Sequence, residues 1–128
     1  MEILASAKDV LTSSQQMPLG KACHLMVDGF TATPPTDAMV GDFFAEVVNK
    51  VGLHIIAGPF FFQLESHQSA FAVIAESHIA ITWFPDGLVL MELFSCKPFD
   101  TIGMVSLVVQ VFELEHWEHR VLERMGIG

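Results

Sequence analysis

Glu76-Ser77-His78 sits between two apolar runs, and one more strand-like run leads on to Phe94-Ser95-Cys96. A serine hydroxyl directly after a carboxylate, where one tight strand-like segment meets the next, is placed to attack the carbonyl carbon that precedes it. The acyl group would then move from nitrogen to oxygen. β-Elimination of the resulting ester would leave a dehydroalanine that hydrolyses to a pyruvoyl group. Such a sequence of steps needs a strained peptide, a site for the oxyanion and a base for the α-proton. Its product is an electrophilic ketone on a new N-terminus, able to form an imine with a substrate amine and to draw electrons from a breaking bond. The blander reading of the same tripeptide is an ordinary serine in a strand turn.

Other groupings of reactive side chains compete with this one. A near-copy of the tripeptide, Glu65-Ser66-His67, lies eleven positions upstream and reads as a surface turn, with no strand ending on its carboxylate. Glu113, Glu115, His116, Glu118 and His119 could suit a metal if helical, since His116 and His119 would share a face. In a strand those two histidines point oppositely, and the cluster reads as a solvated surface. On a strand over 88–95, Glu92, Phe94 and Cys96 share a face by period-two parity, so a carboxylate would face the thiol and favour its protonated form. Taken alone, Cys96 and Cys23 read as buried apolar residues.

The elements that must position these groups are legible in the apolar pattern. A first strand is expected over Lys21–Phe30 and a loop at Pro34-Pro35. A helix is expected over 37–51, where Met39, Val40, Phe43, Phe44, Val47, Val48 and Val51 form one stripe. Thr36 or Asp37 can cap its start and Gly52 its end. Leu53–Leu64 reads as a strand with a kink or bulge at Gly58-Pro59, and Phe60-Phe61-Phe62 within it as core and interface packing. Strands follow over 70–76 and 78–84. Pro85-Asp86-Gly87 makes a turn, and Leu88–Ser95 returns antiparallel. Asp100 caps a second helix to about Phe112, and residues 118–125 close the domain as an edge strand. This order implies an α+β two-layer sandwich, a mostly antiparallel sheet with two helices on one face. Residues 1–17 read as a loose N-terminal leader and 18–128 as a single domain.

Composition narrows the function classes. A chain of 128 residues with 52% apolar and 16% charged residues is a compact globule with little polar surface. Another copy is therefore expected to cover part of it, as a homodimer or higher homo-oligomer. A net charge of −9 with six basic residues argues against nucleic acid and suits a small cationic substrate. No apolar run is long enough to span a membrane, and the N-terminus lacks the basic start of a secretion signal. With only two cysteines, a cytoplasmic protein with free thiols is expected.

The ordered set Ser69, Phe71-Ala72-Val73-Ile74, Glu76-Ser77-His78, Phe84-Pro85-Asp86 and Phe94-Ser95-Cys96 resembles the prokaryotic S-adenosylmethionine decarboxylase proenzyme family, over roughly residues 20–125. The resemblance implies a pyruvoyl-dependent decarboxylase of polyamine and spermidine biosynthesis, self-cleaving between Glu76 and Ser77. Ser77 would become the pyruvoyl cofactor, Cys96 would return a proton to the decarboxylated carbon, and Ser69 would assist processing. His78, next to Ser77, joins them as a candidate. Asp86, Phe84, Phe62 and Glu76 would contact substrate, Asp86 at the place of a ribose-binding glutamate. The family's sites form between two subunits. Thr82 stands where the resemblance implies a histidine that promotes elimination, leaving His78, His67 and His54 as substitutes. Gln63 stands where an adenine-stacking phenylalanine is implied. These departures keep two alternatives open: a pyruvoyl-dependent arginine or ornithine decarboxylase, and an unprocessed relative that binds a ligand or partner subunit without catalysis.

Overall fold

The computed structural model describes residues 22–75 and 77–124. The expected leader over 1–17 and the residue Glu76 lie outside that range. Among the described residues six strands form one antiparallel sheet: β1 (Ala22–Thr31), β2 (Ile55–Gln63), β3 (Gln68–Ile74), β4 (Ser77–Trp83), β5 (Leu88–Ser95) and β6 (Leu114–Arg124), in the order β2-β3-β4-β5-β1-β6. Two α-helices, α1 (Asp37–Glu46) and α2 (Thr101–Val111), complete the α+β sandwich.

Alternation along each strand sets the two faces of the sheet. Leu25 and Val27 of β1, Ala70 and Ala72 of β3, Ile79 and Ile81 of β4, and Met91 and Leu93 of β5 are fully buried. They form one core with Val40, Phe43, Phe44 and Val47 from the first helical segment and Met104, Val108 and Phe112 from the second. Both helices therefore cover the same face, and the Phe43 and Phe112 rings meet at 5.5 Å between them. Each large side chain buried in this layer stabilises the fold by about 1.5–3 kcal/mol.

The opposite face carries His24, Met26, Asp28 and Phe30 from β1, Leu90, Glu92 and Phe94 from β5, and His78 and Thr82 from β4, none of them fully buried. No helix covers it. The apolar surplus in the composition thus has a place, with Phe30 at 47% and Leu122 at 41% exposed.

Helix boundaries follow local chemistry. The Thr36 hydroxyl accepts from the Met39 N–H at 3.2 Å, which caps α1. Beyond Glu46 the chain continues as a π-helical turn, Val47–Val51, closed by the Gly52 N–H on the Val47 carbonyl at 3.1 Å. Gly52 then takes φ 81°, which a glycine adopts without steric cost, and turns the chain into β2. Asp100 caps α2 through the Gly103 N–H at 2.9 Å.

Two expectations need correction. Phe60, Phe61 and Phe62 are not core: they are 49%, 41% and 54% exposed, because β2 is the sheet edge and its register slips twice around Gly58-Pro59. The last strand begins at Leu114 rather than near 118 and runs along β1. It is the second edge, as expected.

Candidate active site

Ser77 opens β4. Its register partner on β3 is Ile74, and Ala75 follows that strand as a turn residue. On its other side Ser77 stands opposite Ser95 of β5, one residue before Cys96. The Ser95 hydroxyl donates to the Lys97 carbonyl at 2.8 Å and accepts from the Lys97 N–H at 3.1 Å. That loop fixes the backbone on both sides of Cys96. The outcome is a Ser77 Oγ to Cys96 Sγ distance of 3.8 Å, within reach of a weak thiol hydrogen bond. Of the sequence-predicted residues, these two are brought together.

The two cysteines occupy different environments. Cys96 is exposed, which corrects the reading of it as a buried apolar residue, whereas Cys23 is buried as expected. Burial, with Glu123 adding to it, pushes the Cys23 thiol up to about 11 and keeps it protonated. The carboxylate expected to face Cys96 does not do so. Glu92 points onto the open sheet face and bonds His24 Nε2 at 3.2 Å. Parity fails here because Cys96 lies past the last residue of β5, where strand alternation no longer governs direction.

His78 follows Ser77 but points to the open face. Its ring lies between Phe71 and Phe94, with centroids 5.7 Å away on each side. The arrangement holds the imidazole rigidly and turns it away from the Ser77–Cys96 pair.

A second group sits at the other end of β4. Ser69 and Thr82 are register partners, and their hydroxyls meet at 3.0 Å. Thr82 is five residues from Ser77 along a strand, roughly 16 Å away. Ser69 therefore does not touch Ser77 within one chain. Phe62 stands opposite Ser69 on β2. Phe84 packs on the His67 ring at 5.1 Å. The Asp86 carboxylate accepts from the Leu88 N–H at 3.1 Å, closing its own turn, which Gly87 completes at φ 100°. An open cleft of about 300 Å³ beside this group is lined by Pro34, Gln63, Leu64, Trp83 and Phe84. The upstream Glu65-Ser66-His67 forms the expected exposed turn, with Ser66 Oγ bonded to His67 Nδ1 at 2.9 Å.

The acidic and histidine-rich C-terminal strand has the parity expected, with His116 and His119 on opposite faces. His119 corrects the reading of the cluster as a solvated surface: it is turned inward and buried, while His116 is exposed. Among the described residues no group of three His, Cys, Asp or Glu side chains could hold a metal. Among them, too, no helix is long and apolar enough to cross a membrane.

His54, one of the substitutes named from the sequence, meets the turn before Ser77 through its backbone. The Ala75 N–H, in the turn before Ser77, donates to the His54 carbonyl at 2.9 Å. No periodicity signals this contact, because His54 lies in the short link that joins the π-helical turn to β2.

Residues 23–125 match the family model described as S-adenosylmethionine decarboxylase. The fold is shared with the crystal structure of the adenosylmethionine decarboxylase from Aquifex aeolicus VF5, at a TM-score of 0.70 and 17% sequence identity. That superposition covers 87% of this chain and 95% of the other. No curated protein sequence matches the chain.

Proposed function

Because this chain belongs to the S-adenosylmethionine decarboxylase family, we propose that it is a pyruvoyl-dependent decarboxylase acting on S-adenosylmethionine, with Ser77 as the source of its cofactor. One observation carries the reading. The Ser77 hydroxyl, on the first residue of β4, has a thiol 3.8 Å away. A nucleophile for acyl migration and a proton donor for the later chemistry thus share one corner of the sheet.

The residues present suit a pyruvoyl group at this position. Ser77 is the first residue of its strand, so cleavage before it leaves the β4 ladder intact. Such a group supplies an electrophilic keto carbon for the substrate amine and an electron sink as carbon dioxide leaves. Cys96 holds a proton beside the carbon that must receive it. Its exposure lets a substrate enter between thiol and solvent. The backbone tied by Ser95 keeps the sulfur from swinging away.

The Ser69–Thr82 pair, with Phe62, Phe84 and Asp86, serves the substrate from a second subunit. A single chain keeps this group roughly 16 Å from Ser77. A homodimer packed through the uncovered sheet face removes that separation by placing one subunit's Ser69 near the other subunit's Ser77. The open face carries exposed apolar side chains suited to such packing.

Gln63 and Asp86 favour a second reading, decarboxylation of arginine or ornithine. Gln63 offers no aromatic face for a nucleobase, and the Asp86 carboxylate is already engaged by its own turn. Release of labelled carbon dioxide from S-adenosylmethionine, arginine and ornithine, measured side by side, tests both. Turnover of S-adenosylmethionine is the expected result. Preference for either amino acid would move the assignment to the second reading. No release from any of the three would leave a non-catalytic relative.

A further inference from the structure

On the uncovered sheet face Asp28 of β1 and Glu118 of β6 stand directly opposite each other, two carboxylates in one register pair. Like charges so placed cost stability. Burial first, and then Glu118, holds the Asp28 carboxyl above the usual range, and Arg120 pulls it down only in part. We propose that this acidic pair is held by Arg124 of a second copy of the chain, and that two such equivalent ion pairs set the register of the dimer that completes the active site. The inference rests on the homodimer packed through this face.

Strand register carries the argument. Ser69, Thr82, Leu90, Asp28 and Glu118 form one row across the sheet. Ser77, Ser95, Cys23 and Glu123 form the row near its other end, and Arg124 stands one residue beyond. A two-fold axis that lays one subunit's Ser69–Thr82 row over the partner's Ser77 row exchanges the two rows along their whole length. Asp28 and Glu118 then lie over the end of the partner's β6. A two-fold along the strands would keep each row at its own level and leave Ser69 far from the partner's Ser77.

Parity selects the facing side chain. Glu123 shares the helix side of the sheet with Cys23, whose thiol it influences. Arg124 points to the uncovered side, where its guanidinium lies 5.1 Å from the centre of the Phe94 ring and is steadied by it. Sheets packed face to face lie about 10 Å apart and cross at about 30°. That angle moves the match at β6 by about two residues, an interval that an arginine side chain spans.

Charge also favours a second copy as the occupant. Each subunit carries a net charge of −9, so two copies repel unless opposite charges meet where they touch. The chain itself supplies the matching cation at the matching row. Beside it, Phe30 and Leu122 are exposed on the same face and need a surface to cover them.

Sedimentation velocity of the full-length chain over a concentration series measures the dimer dissociation constant. Wild type is expected to dimerise. Arg124→Glu should raise the constant at least about tenfold, whereas Arg124→Lys, which keeps the charge, should raise it far less. Lys50→Glu makes the same change of net charge in the helical layer and should leave the constant unchanged. A chain carrying both Asp28→Asn and Glu118→Arg should dimerise poorly alone. Mixed with Arg124→Glu it should form a one-to-one dimer, seen by native mass spectrometry, because both contacts then join opposite charges. Far-UV circular dichroism checks each fold, and Arg124→Gln decides the same question if the charge reversal unfolds the chain. Dimerisation of folded Arg124→Glu as tight as wild type would overturn the ion pair and leave the dimer standing. So would a mixture without the one-to-one dimer, or an equal loss in Lys50→Glu. A wild-type chain that stays monomeric at every concentration would overturn the face-to-face dimer as well.

Discussion

Replacing His119 with phenylalanine should make this protein more stable, and more so as the pH falls. His119 faces the helix layer from β6, opposite Val27, and is only 5% exposed. Neither ring nitrogen finds a hydrogen-bond partner among the described residues, although the ring stacks near Trp117 at 6.2 Å. Burial therefore pulls its pKa below the ordinary histidine value. The folded chain then refuses a proton that the unfolded chain takes up below about pH 6.5. The stability carried by neutral His119 is present above that value and lost as pH falls through it. Between pH 6.5 and 5.5 the loss is at most about 1 kcal/mol. Phenylalanine removes this titration, and it also removes two unpartnered nitrogens that cost about 1–3 kcal/mol to bury. Asp28 titrates in the opposite sense, its carboxyl held above the usual range by burial first and then by Glu118. Its contribution is common to both chains and cancels in the difference. Urea unfolding at pH 7.5, 6.5 and 5.5, read by tryptophan fluorescence, gives the two stability curves. The variant should lead throughout, by a margin that widens by up to about 1 kcal/mol over the lowest unit. A margin that stays constant would refute the reasoning, because His119 would then bind its proton equally in both states.

Two further outcomes bear on the site and on the helix layer. Cys96→Ala should fold normally but lower decarboxylation about 100-fold, as the loss of a positioned proton donor does; a steady-state carbon dioxide assay reads it. Asp100→Ala removes the side chain that accepts from Gly103 and should cost about 1 kcal/mol, seen as a lower melting temperature by calorimetry.

Much of this architecture can be read from the chain because it depends on local rules. The apolar stripe from Met39 to Val51, the Thr36 cap and the Gly52 stop are nearest-neighbour chemistry, and α1 with its π-helical extension follows them. The antiparallel return after Pro85-Asp86-Gly87 is equally local. What could not be read depends on which strands become neighbours. Nothing in Phe60-Phe61-Phe62 says that β2 is an edge, so a run that looks like core is exposed. Strand parity placed Glu92 with Cys96, but the strand ends at Ser95 and the thiol turns to Ser77 instead.

The site divides in the same way. The motif order singled out Ser77 and Cys96, and the register between β4 and β5 brings them together. Ser69 and Thr82 stand thirteen positions apart, and the β3–β4 register makes them a bonded pair. Their distance from Ser77 is likewise a property of the sheet. His54 reaches the turn before Ser77 only because β2 lies beside β3, a pairing that no spacing in the chain announces.

Covalent state is the most direct test of the account, since every catalytic role assigned here depends on Ser77 ceasing to be a serine. Intact mass of the freshly purified chain, followed by sequencing from each N-terminus, decides it. Two chains divided between Glu76 and Ser77, the second blocked at its N-terminus, are the expected result. A single chain of 128 residues that persists under all conditions, with Ser77 unmodified, would contradict it.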